Sequence, residues 1–570
     1  MAASAIVGRE DGLPHPFGQG TSRPSTPRSD SGTLGRVASP DTAPKKSASL
    51  FRKKDLGQVI SEAGDPNLAD AHGAGAGGLR RTLSAWHLVA LGVGAIIGAG
   101  IFSLTGTAAA YHAGPGIVYS FVLAGVLCAF AGFCYAELAS MIPVAGSAYT
   151  YSYTTMGELV AWIIGWDLIL EYTFGAVTVS IAWSGYLYSL IHNSLGIEVP
   201  VELLRLTKGP FETVELANGA SAPGIINVPA MLIGLVLAAV LYRGMKESAW
   251  VNNLIVVLKV AIVLAFVALG VGVIQMTNLI ADPAAVGPAA LVPVQQVVEG
   301  TARYGWGIGG VLTGAGVVFF AYIGFDAVAT TAQEAKNPAK DLPIGILGSL
   351  VVCTILYVLV AVVLSGVVPY QELGVPDPIA VGIDRIVELR GWSPTAQSSF
   401  TFAVKLGALA GLTSVILVLL MAQARVFYAM SRDGLLPWFK DTHPKFHTPH
   451  RATVVTGVFV SACAAIMPMS LVGELVSIGT LLAFILVCLG VPILRRTNPD
   501  TPRPFRVRAP WLVGGTGAAT CLLLMIGLPL DTWLRMIIWL VIGFIIYFAY
   551  GRKHSTLAAG DAPKAGDDAG

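Results

Sequence analysis

Charged residues are scarce in this chain of 570 residues: Asp, Glu, Lys and Arg make up 12% of it, against roughly 25% in a soluble protein. Of its 36 basic and 34 acidic residues, 17 lie in residues 1–79 and six in residues 551–570, which leaves 47 for the 471 residues between. That stretch has too few charges for a soluble surface, so the composition excludes a soluble enzyme. A net charge of +2 without a basic face also excludes a nucleic-acid-binding protein.

Cysteine is also rare, and its six positions lie in apolar runs with no paired spacing and no histidine cluster nearby. This pattern argues against a disulfide framework and against a metal site, and we expect small core residues instead. Residues 1–79 lack an apolar run of 7–15 residues, so no secretory signal peptide is predicted.

Apolar residues, by contrast, make up 54% of the chain and recur in runs of about 20 residues after Arg80. Such a run crosses a hydrocarbon layer of roughly 30 Å at about 1.5 Å per residue. The pattern predicts an all-α polytopic membrane protein with twelve transmembrane helices. Their approximate ranges are 84–110, 116–141, 157–191, 224–242, 246–275, 307–330, 342–368, 398–430, 452–468, 471–494, 512–530 and 533–551.

Lys and Arg are unevenly distributed between the two sets of loops. Thirteen lie in the loops on the side of the N-terminus and five in the opposite loops. This bias predicts a multi-pass protein of the cytoplasmic membrane with both termini in the cytoplasm. Residues 1–79 and 552–570 are rich in small and polar residues, and we predict two disordered cytoplasmic tails.

Glycine interrupts two of the predicted helices. The first contains Gly92, Gly94, Gly98 and Gly100, and the sixth contains glycines between Gly314 and Gly324. Because the two helices are five apart, they occupy matching positions in two inverted halves, residues 80–275 and 276–494, followed by two extra helices in 495–551. Paired interruptions of this kind indicate a transporter's binding site at mid-membrane. The alternative is that these glycines only allow close helix packing.

The ends of a broken helix expose peptide groups with opposite preferences. Free N–H groups at the start of a second half attract a carboxylate, whereas free carbonyls at the end of a first half attract an ammonium. A zwitterionic amino acid suits two such breaks. We predict the carboxylate site at Ile96 to Gly100, which includes Ala99, and the amine site at Phe320, Ala321 and Ile323.

Two charged residues lie deep in the predicted helices. Glu171 and Lys259 are each 13 positions into their helices, about 20 Å along the axis, where facing lipid would cost at least about 2.5–3.5 kcal/mol. Both should therefore face the interior, and we expect them to face each other. A lysine whose carboxylate partner comes and goes can take up and release a proton, which is the chemistry of a coupling site. The alternative is a static ion pair between helices 3 and 5. Glu137, Asp326, Lys405 and Arg425 are interpreted as contacts at helix ends or gates.

Several motifs resemble the cationic amino acid transporter family of the amino acid–polyamine–organocation superfamily, in its bacterial proton-coupled form. They occur in the family's order over about residues 50–550. The matching stretches are Gly94–Phe102, Tyr135–Ser140, Pro143–Tyr151, Gly165–Tyr172, Phe319–Asp326, Glu334–Pro338 and Tyr428–Pro437.

The resemblance implies a LeuT-like fold with a five-plus-five inverted repeat and two additional helices. It also implies substrate contacts at Ile96, Ala99, Gly100, Phe320, Ala321 and Ile323, and a proton-coupling role for Lys259 with Glu171. Lys259 matches a helix-5 lysine that in bacterial proton-coupled members occupies the space of the sodium ion of sodium-coupled relatives, so the resemblance implies no sodium or other cofactor. The residues near Met421 are apolar, which makes a small neutral amino acid at least as suitable as a cationic one.

The functional hypothesis is a proton-coupled symporter of small neutral or cationic amino acids that works by alternating access, and not an enzyme. An exchanger or facilitator of the same fold is the nearest alternative. A non-transporting amino acid sensor that signals through residues 1–79 is an alternative of another class. Expected partners are the amino acid, membrane lipid and a possible small single-helix subunit.

Overall fold

The computed structural model describes residues 50–54, 83–142, 148–215, 221–243, 249–281, 287–292, 307–326, 328–329, 335–446 and 448–560. Most of the predicted N-terminal tail, together with 561–570 in the predicted C-terminal tail, lies outside the described residues. So do residues 143–147 and Glu334, which carry part of the family resemblance.

Twelve apolar helical segments, α1 to α12, follow one another through the described residues. Seven are long and apolar enough to cross a membrane, and five shorter ones have 10–17 residues. The predicted all-α polytopic class is confirmed. The segments are α1 (Ala85–Ile96, continued by the turns Gly100–Leu104, Thr105–Ala108 and Ala109–Ala113), α2 (Ile117–Met141), α3 (Glu158–Ser189), α4 (Val228–Arg243), α5 (Ala249–Gly270), α6 (Ile308–Val318, continued by Phe319–Tyr322), α7 (Pro338–Val367), α8 (Pro394–Arg432), α9 (His450–Ile466), α10 (Met469–Thr497), α11 (Pro510–Ile526) and α12 (Leu530–Ile546).

Shorter elements lie in the connections. A helix over Ala148–Thr155 precedes α3, a helix over Pro378–Leu389 lies between α7 and α8, and strands β1 (Thr213–Glu215) and β2 (Ser221–Pro223) form an antiparallel hairpin between α3 and α4. Proline opens α7, α8 and α11. The backbone N–H at the first position of a helix has no acceptor within the helix, so proline loses no hydrogen bond there. The fixed φ of proline also fits the helix.

The helices pack in pairs that are five apart in sequence. Helix α2 lies along α7, α3 along α8 and α4 along α9, and these are among the most extensive helix contacts of the molecule. This arrangement is what two intertwined repeats of five helices require. Helices α11 and α12 lie outside the repeats and pack against α10.

The interruption of α6 lies further along the chain than its glycines suggest. Gly314 and Gly316 are inside the regular helix Ile308–Val318. A Cβ on Gly314 would lie 2.8 Å from the hydroxyl of Ser120, and one on Gly316 would lie 3.1 Å from Leu528. These two glycines therefore serve close packing, and the regular helical backbone ends after Tyr322.

Short segments of both predicted tails contact the helices. Leu50 and Arg52 accept hydrogen bonds from the first residues of α3, with Glu158 N–H 2.8 Å from the Arg52 carbonyl. Lys54 forms an ion pair with Asp433 at 2.6 Å. Residues 552–560 are largely helical, and Ser555 donates to the Glu158 carboxylate at 2.6 Å. Segments near both ends of the chain thus meet where α3 begins and α8 ends.

Candidate functional site

The first helix opens at Ile97 and Gly98. Ile97 leaves helical geometry with ψ of 95°, although its N–H still bonds to the Val93 carbonyl. Past the break, the N–H of Phe102 bonds to the Gly98 carbonyl. A Cβ on Gly98 would lie 3.2 Å from Val415 of α8, and one on Gly100 would overlap the Cα of Ala321. Glycine therefore brings the opened backbone of α1 directly against α6 and α8.

The opening of α6 follows Tyr322. Ile323 takes an extended ψ of 135°, and Gly324 has a φ of +115°, a left-handed conformation that favours glycine. A Cβ on Gly324 would lie 2.9 Å from the carbonyl carbon of Ala95. Each break therefore rests on the backbone of the other helix, Gly100 on Ala321 and Gly324 on Ala95.

The six residues predicted to hold the substrate are buried at this crossing. Both helices that the sequence predicted to be interrupted are interrupted in the structure. The predicted contacts of the six residues with a substrate remain a prediction.

Tyr357 of α7 is a residue of this site that the sequence reasoning missed. Its hydroxyl lies 2.8 Å from the carbonyl oxygen of Ile96 and 2.9 Å from that of Ala321. The hydroxyl thus lies within hydrogen-bond distance of a carbonyl group at each opening. The available signal was a tyrosine in the largely apolar run 350–364, because a buried phenol hydroxyl needs a partner; Thr354 of the same run bonds to the Leu350 carbonyl within its own helix.

Apolar side chains border the openings. The ring of Phe320 lies 3.9 Å from the position that a Cβ on Gly175 would take, and Leu419 lies 3.3 Å from the same point. Val415, one turn before Leu419, faces Gly98. Helices α3, α6 and α8 thus surround the crossing with hydrocarbon, which suits an apolar side chain better than a charged one.

Lys259 is 1% exposed, and its ammonium donates to the carbonyl of Gly94 at 3.0 Å. Its stem packs on α8, where a Cβ on Gly411 would lie 3.1 Å from Cγ and Cε of the lysine. Among the described residues, no carboxylate forms an ion pair with Lys259. The polar contact that its ammonium makes is with α1, just before the opening.

The expected pairing of Lys259 with Glu171 is therefore wrong. Glu171 is buried, and its neighbours are Thr480 of α10 and the carboxylates of Asp326 and Asp167. The sequence predicted the same depth in the membrane for the two residues. In the structure their side chains point towards different neighbours.

Asp326 has a more specific place than the helix-end contact expected of it. One oxygen of its carboxylate accepts from the N–H of Gly324 at 3.2 Å, and the other from the hydroxyl of Tyr172 at 3.5 Å. The carboxylate thus satisfies backbone at the opening of α6 and links it to α3.

Two other charged residues form closed contacts away from the openings. Lys405 donates to both carboxylate oxygens of Asp384, at 2.9 and 2.7 Å, and so joins α8 to the helix Pro378–Leu389. Glu137 at the end of α2 accepts two bonds from Arg495 and one from the N–H of Val507. The expected role of a gate or helix-end contact agrees with both placements.

No group of three or more His, Cys, Asp or Glu that could hold a metal ion occurs among the described residues. The groups that the described residues bring to the crossing are peptide carbonyls and N–H groups, the hydroxyls of Tyr357 and Tyr172, the carboxylate of Asp326 and the ammonium of Lys259. These groups can bind and orient a small polar molecule.

Comparison with known proteins gives a consistent result. The profile of the family described as "Amino acid permease" matches residues 83–549. The methylthioribose transporter of Bacillus subtilis (strain 168) is 40% identical over 511 residues, 90% of this chain and 99% of the relative. The branched-chain amino acid permease BcaP of the same organism is 41% identical over 514 residues, 89% and 99% of the two chains. The vacuolar cationic amino acid transporter 2 of Arabidopsis thaliana is 37% identical over 426 residues, 74% of this chain and 61% of the relative.

Proposed function

The chain belongs to the amino acid permease family, a group of membrane transport proteins, and from that premise we propose that it is a proton-coupled amino acid symporter working by alternating access. The observation that carries the proposal is the contact between the Lys259 ammonium and the Gly94 carbonyl, 3.0 Å apart, immediately before the opening of α1. A change in the charge of the lysine acts directly on the backbone that leads into the proposed substrate site.

The proposed coupling follows from that contact. A protonated Lys259 donates to Gly94 and so stabilises the observed position of α1. A neutral amine donates more weakly, because a hydrogen bond from an ionised donor is roughly twice as strong. Proton release therefore loosens the hold of α5 on α1. Glu171 has other neighbours, Thr480, Asp326 and Asp167, so we propose that its part in coupling is indirect.

We further propose that the substrate is a neutral amino acid with an apolar side chain. The ammonium and carboxylate groups would bind peptide groups of the two openings, and the side chain would lie near Phe320, Leu419 and Val415. A relative of high identity is named as a branched-chain amino acid permease, which agrees with this environment. The relative named as a methylthioribose transporter identifies a second candidate substrate, one without a zwitterionic group.

The experiment is uptake into liposomes that contain the purified full-length protein, with an imposed pH gradient and membrane potential. The substrate panel is leucine, alanine, arginine and methylthioribose. One elementary charge moving through 100 mV gains about 2.3 kcal/mol, which supports about a 40-fold accumulation of a neutral solute. We expect accumulation of leucine above alanine and arginine.

Three outcomes would change the proposal. Uptake only into liposomes preloaded with an amino acid would indicate an exchanger. Uptake of methylthioribose without leucine would move the substrate outside the amino acids. Binding without any uptake would support the sensor.

A further inference from the structure

The hydroxyl of Tyr357 lies between the two openings. It is fully buried in α7, and its oxygen is nearly equidistant from the carbonyls of Ile96 and Ala321, at 2.8 and 2.9 Å. These carbonyls belong to the last turns before the two openings. Such groups have lost their helical partners and need another donor when they are away from water.

A phenol has one hydrogen to donate. With two carbonyls at the same distance, that hydrogen can serve one while the oxygen stays beside the other. A substrate ammonium, which has three donors, can supply what the hydroxyl leaves unmet. Tyr357 therefore holds the carbonyl ends of both openings together while leaving acceptor capacity for a cationic group.

The ring of Tyr357 is held firmly. It packs against Phe121 at 5.4 Å and against Tyr322 at 5.5 Å between ring centroids. The hydroxyl of Tyr322 donates to the Phe121 carbonyl at 2.8 Å. These contacts tie α2, α6 and α7 together and fix the position of the Tyr357 hydroxyl at the crossing of α1 and α6.

We propose that Tyr357 is a positioning residue for the substrate's ammonium group: its hydroxyl presets the carbonyls of Ile96 and Ala321 in the geometry that binds the amine. This inference rests on the proposed function, because it takes an amino acid as the substrate. It assigns to α7 a role in recognition that neither interrupted helix provides by itself.

Tyr322 provides a matched control. Both tyrosines are fully buried, both rings belong to the same aromatic cluster, and both hydroxyls bond to a backbone carbonyl. Only the hydroxyl of Tyr357 contacts the openings. The substitutions Tyr357→Phe and Tyr322→Phe each remove one buried hydroxyl and keep the ring, so they should lower thermal stability to a similar extent.

The experiment measures KM and Vmax of leucine uptake in proteoliposomes, and inhibition of that uptake by 4-methylpentanoate, the analogue of leucine without its amine. Loss of one hydrogen bond should raise the KM for leucine about 3- to 10-fold in Tyr357→Phe, with Vmax changed less than twofold. The inhibition constant of the analogue should change less than the KM for leucine, because the analogue has no ammonium to place. Tyr322→Phe should leave the ratio of the two constants at the wild-type value.

The same ratio in Tyr357→Phe and Tyr322→Phe would overturn the inference and reduce Tyr357 to a packing residue. An equal loss of affinity for leucine and for the analogue would also overturn it, because the hydroxyl would then not act through the amine. If the wild-type protein neither transports nor binds leucine, the proposed function fails and the inference fails with it. Wild-type uptake together with an unchanged ratio refutes the role of Tyr357 alone.

Discussion

Lys259 and Lys405 are the same residue type with the same burial, 1% and 0% exposed, yet they have opposite surroundings. Lys405 meets both oxygens of the Asp384 carboxylate. Lys259 donates to the carbonyl of Gly94 and forms no ion pair with any carboxylate among the described residues. A full countercharge favours the charged form of a lysine, whereas a carbonyl dipole compensates it less. Burial therefore does not distinguish the proposed coupling residue Lys259 from Lys405, whereas the partner of each lysine does.

The largest effect is expected from Lys259→Asn. Asparagine is shorter than lysine and carries no titrating charge, so proton-driven accumulation of leucine should fall from about 40-fold at a proton-motive force of 100 mV towards unity. Exchange of internal for external leucine should persist, because it needs no net proton movement. Parallel measurements of uptake and exchange in proteoliposomes check this. Undiminished accumulation would show that the proton uses another route.

Lys259→Arg separates proton exchange from fixed charge. A guanidinium keeps its charge and its donors but does not lose its proton in proteins. If the lysine must release a proton, the arginine variant should lose accumulation to about the same extent as the asparagine variant. If a fixed positive charge is enough, the arginine variant should accumulate leucine like the wild type, and the proposed difference between the two lysines would disappear.

Lys405→Met should affect stability more than coupling. Removing one partner of a buried ion pair costs about 3–5 kcal/mol, but Asp384 is about one-third exposed, so we expect about 1–3 kcal/mol. A lower thermal midpoint with intact pH-driven accumulation is the expected result. The double substitution Lys405→Met with Asp384→Leu should recover most of the loss, because the Asp384 carboxylate is then no longer left without its cation. Loss of accumulation in the folded single variant would place Lys405 in the coupling mechanism.

Lys54 extends the comparison to a partly exposed pair. Its ion pair with Asp433 is 27% exposed on the lysine side, and its ammonium lies over the ring of Tyr153 at 4.9 Å. Lys54→Gln should therefore cost about 0.5–1 kcal/mol and change leucine uptake less than twofold. Thermal unfolding of this variant beside Lys405→Met measures the difference. If Lys54→Gln lost more unfolding free energy than Lys405→Met, the contribution of these ion pairs to stability would not follow their burial.

The sequence could predict how deep in the membrane a residue lies, but not which way its side chain points. The number of helices and the opening of α1 followed from apolar run lengths and from Gly98 and Gly100. The pairing of Glu171 with Lys259 was wrong because equal depth on two helices does not determine which way each side chain turns. The glycines of α6 were similarly ambiguous: Gly314 and Gly316 serve packing, and only Gly324 lies at the opening. The contact of the Tyr357 hydroxyl with both openings depends on α1, α6 and α7 meeting at one point. The residues around Tyr357 in the sequence do not encode that meeting.

Asp377 provides the smallest expected effect and tests the surroundings of Lys405 by pH. It lies in the connection before the helix Pro378–Leu389, and burial raises its pKa to about 6, while the positive charge of Lys405 lowers the pKa in part. Because the folded pKa is above the unfolded value, the contribution of Asp377 to stability is complete below about pH 4 and is lost as the pH rises through about 6. Thermal unfolding between pH 4 and 7 should show a decrease of about 2 °C in the wild type that is absent in Asp377→Asn. In Lys405→Met the decrease should move to higher pH, because Asp377 loses the cation that favours its charged form. An unchanged pH range in that variant would mean that the charge of Lys405 is fully compensated by Asp384.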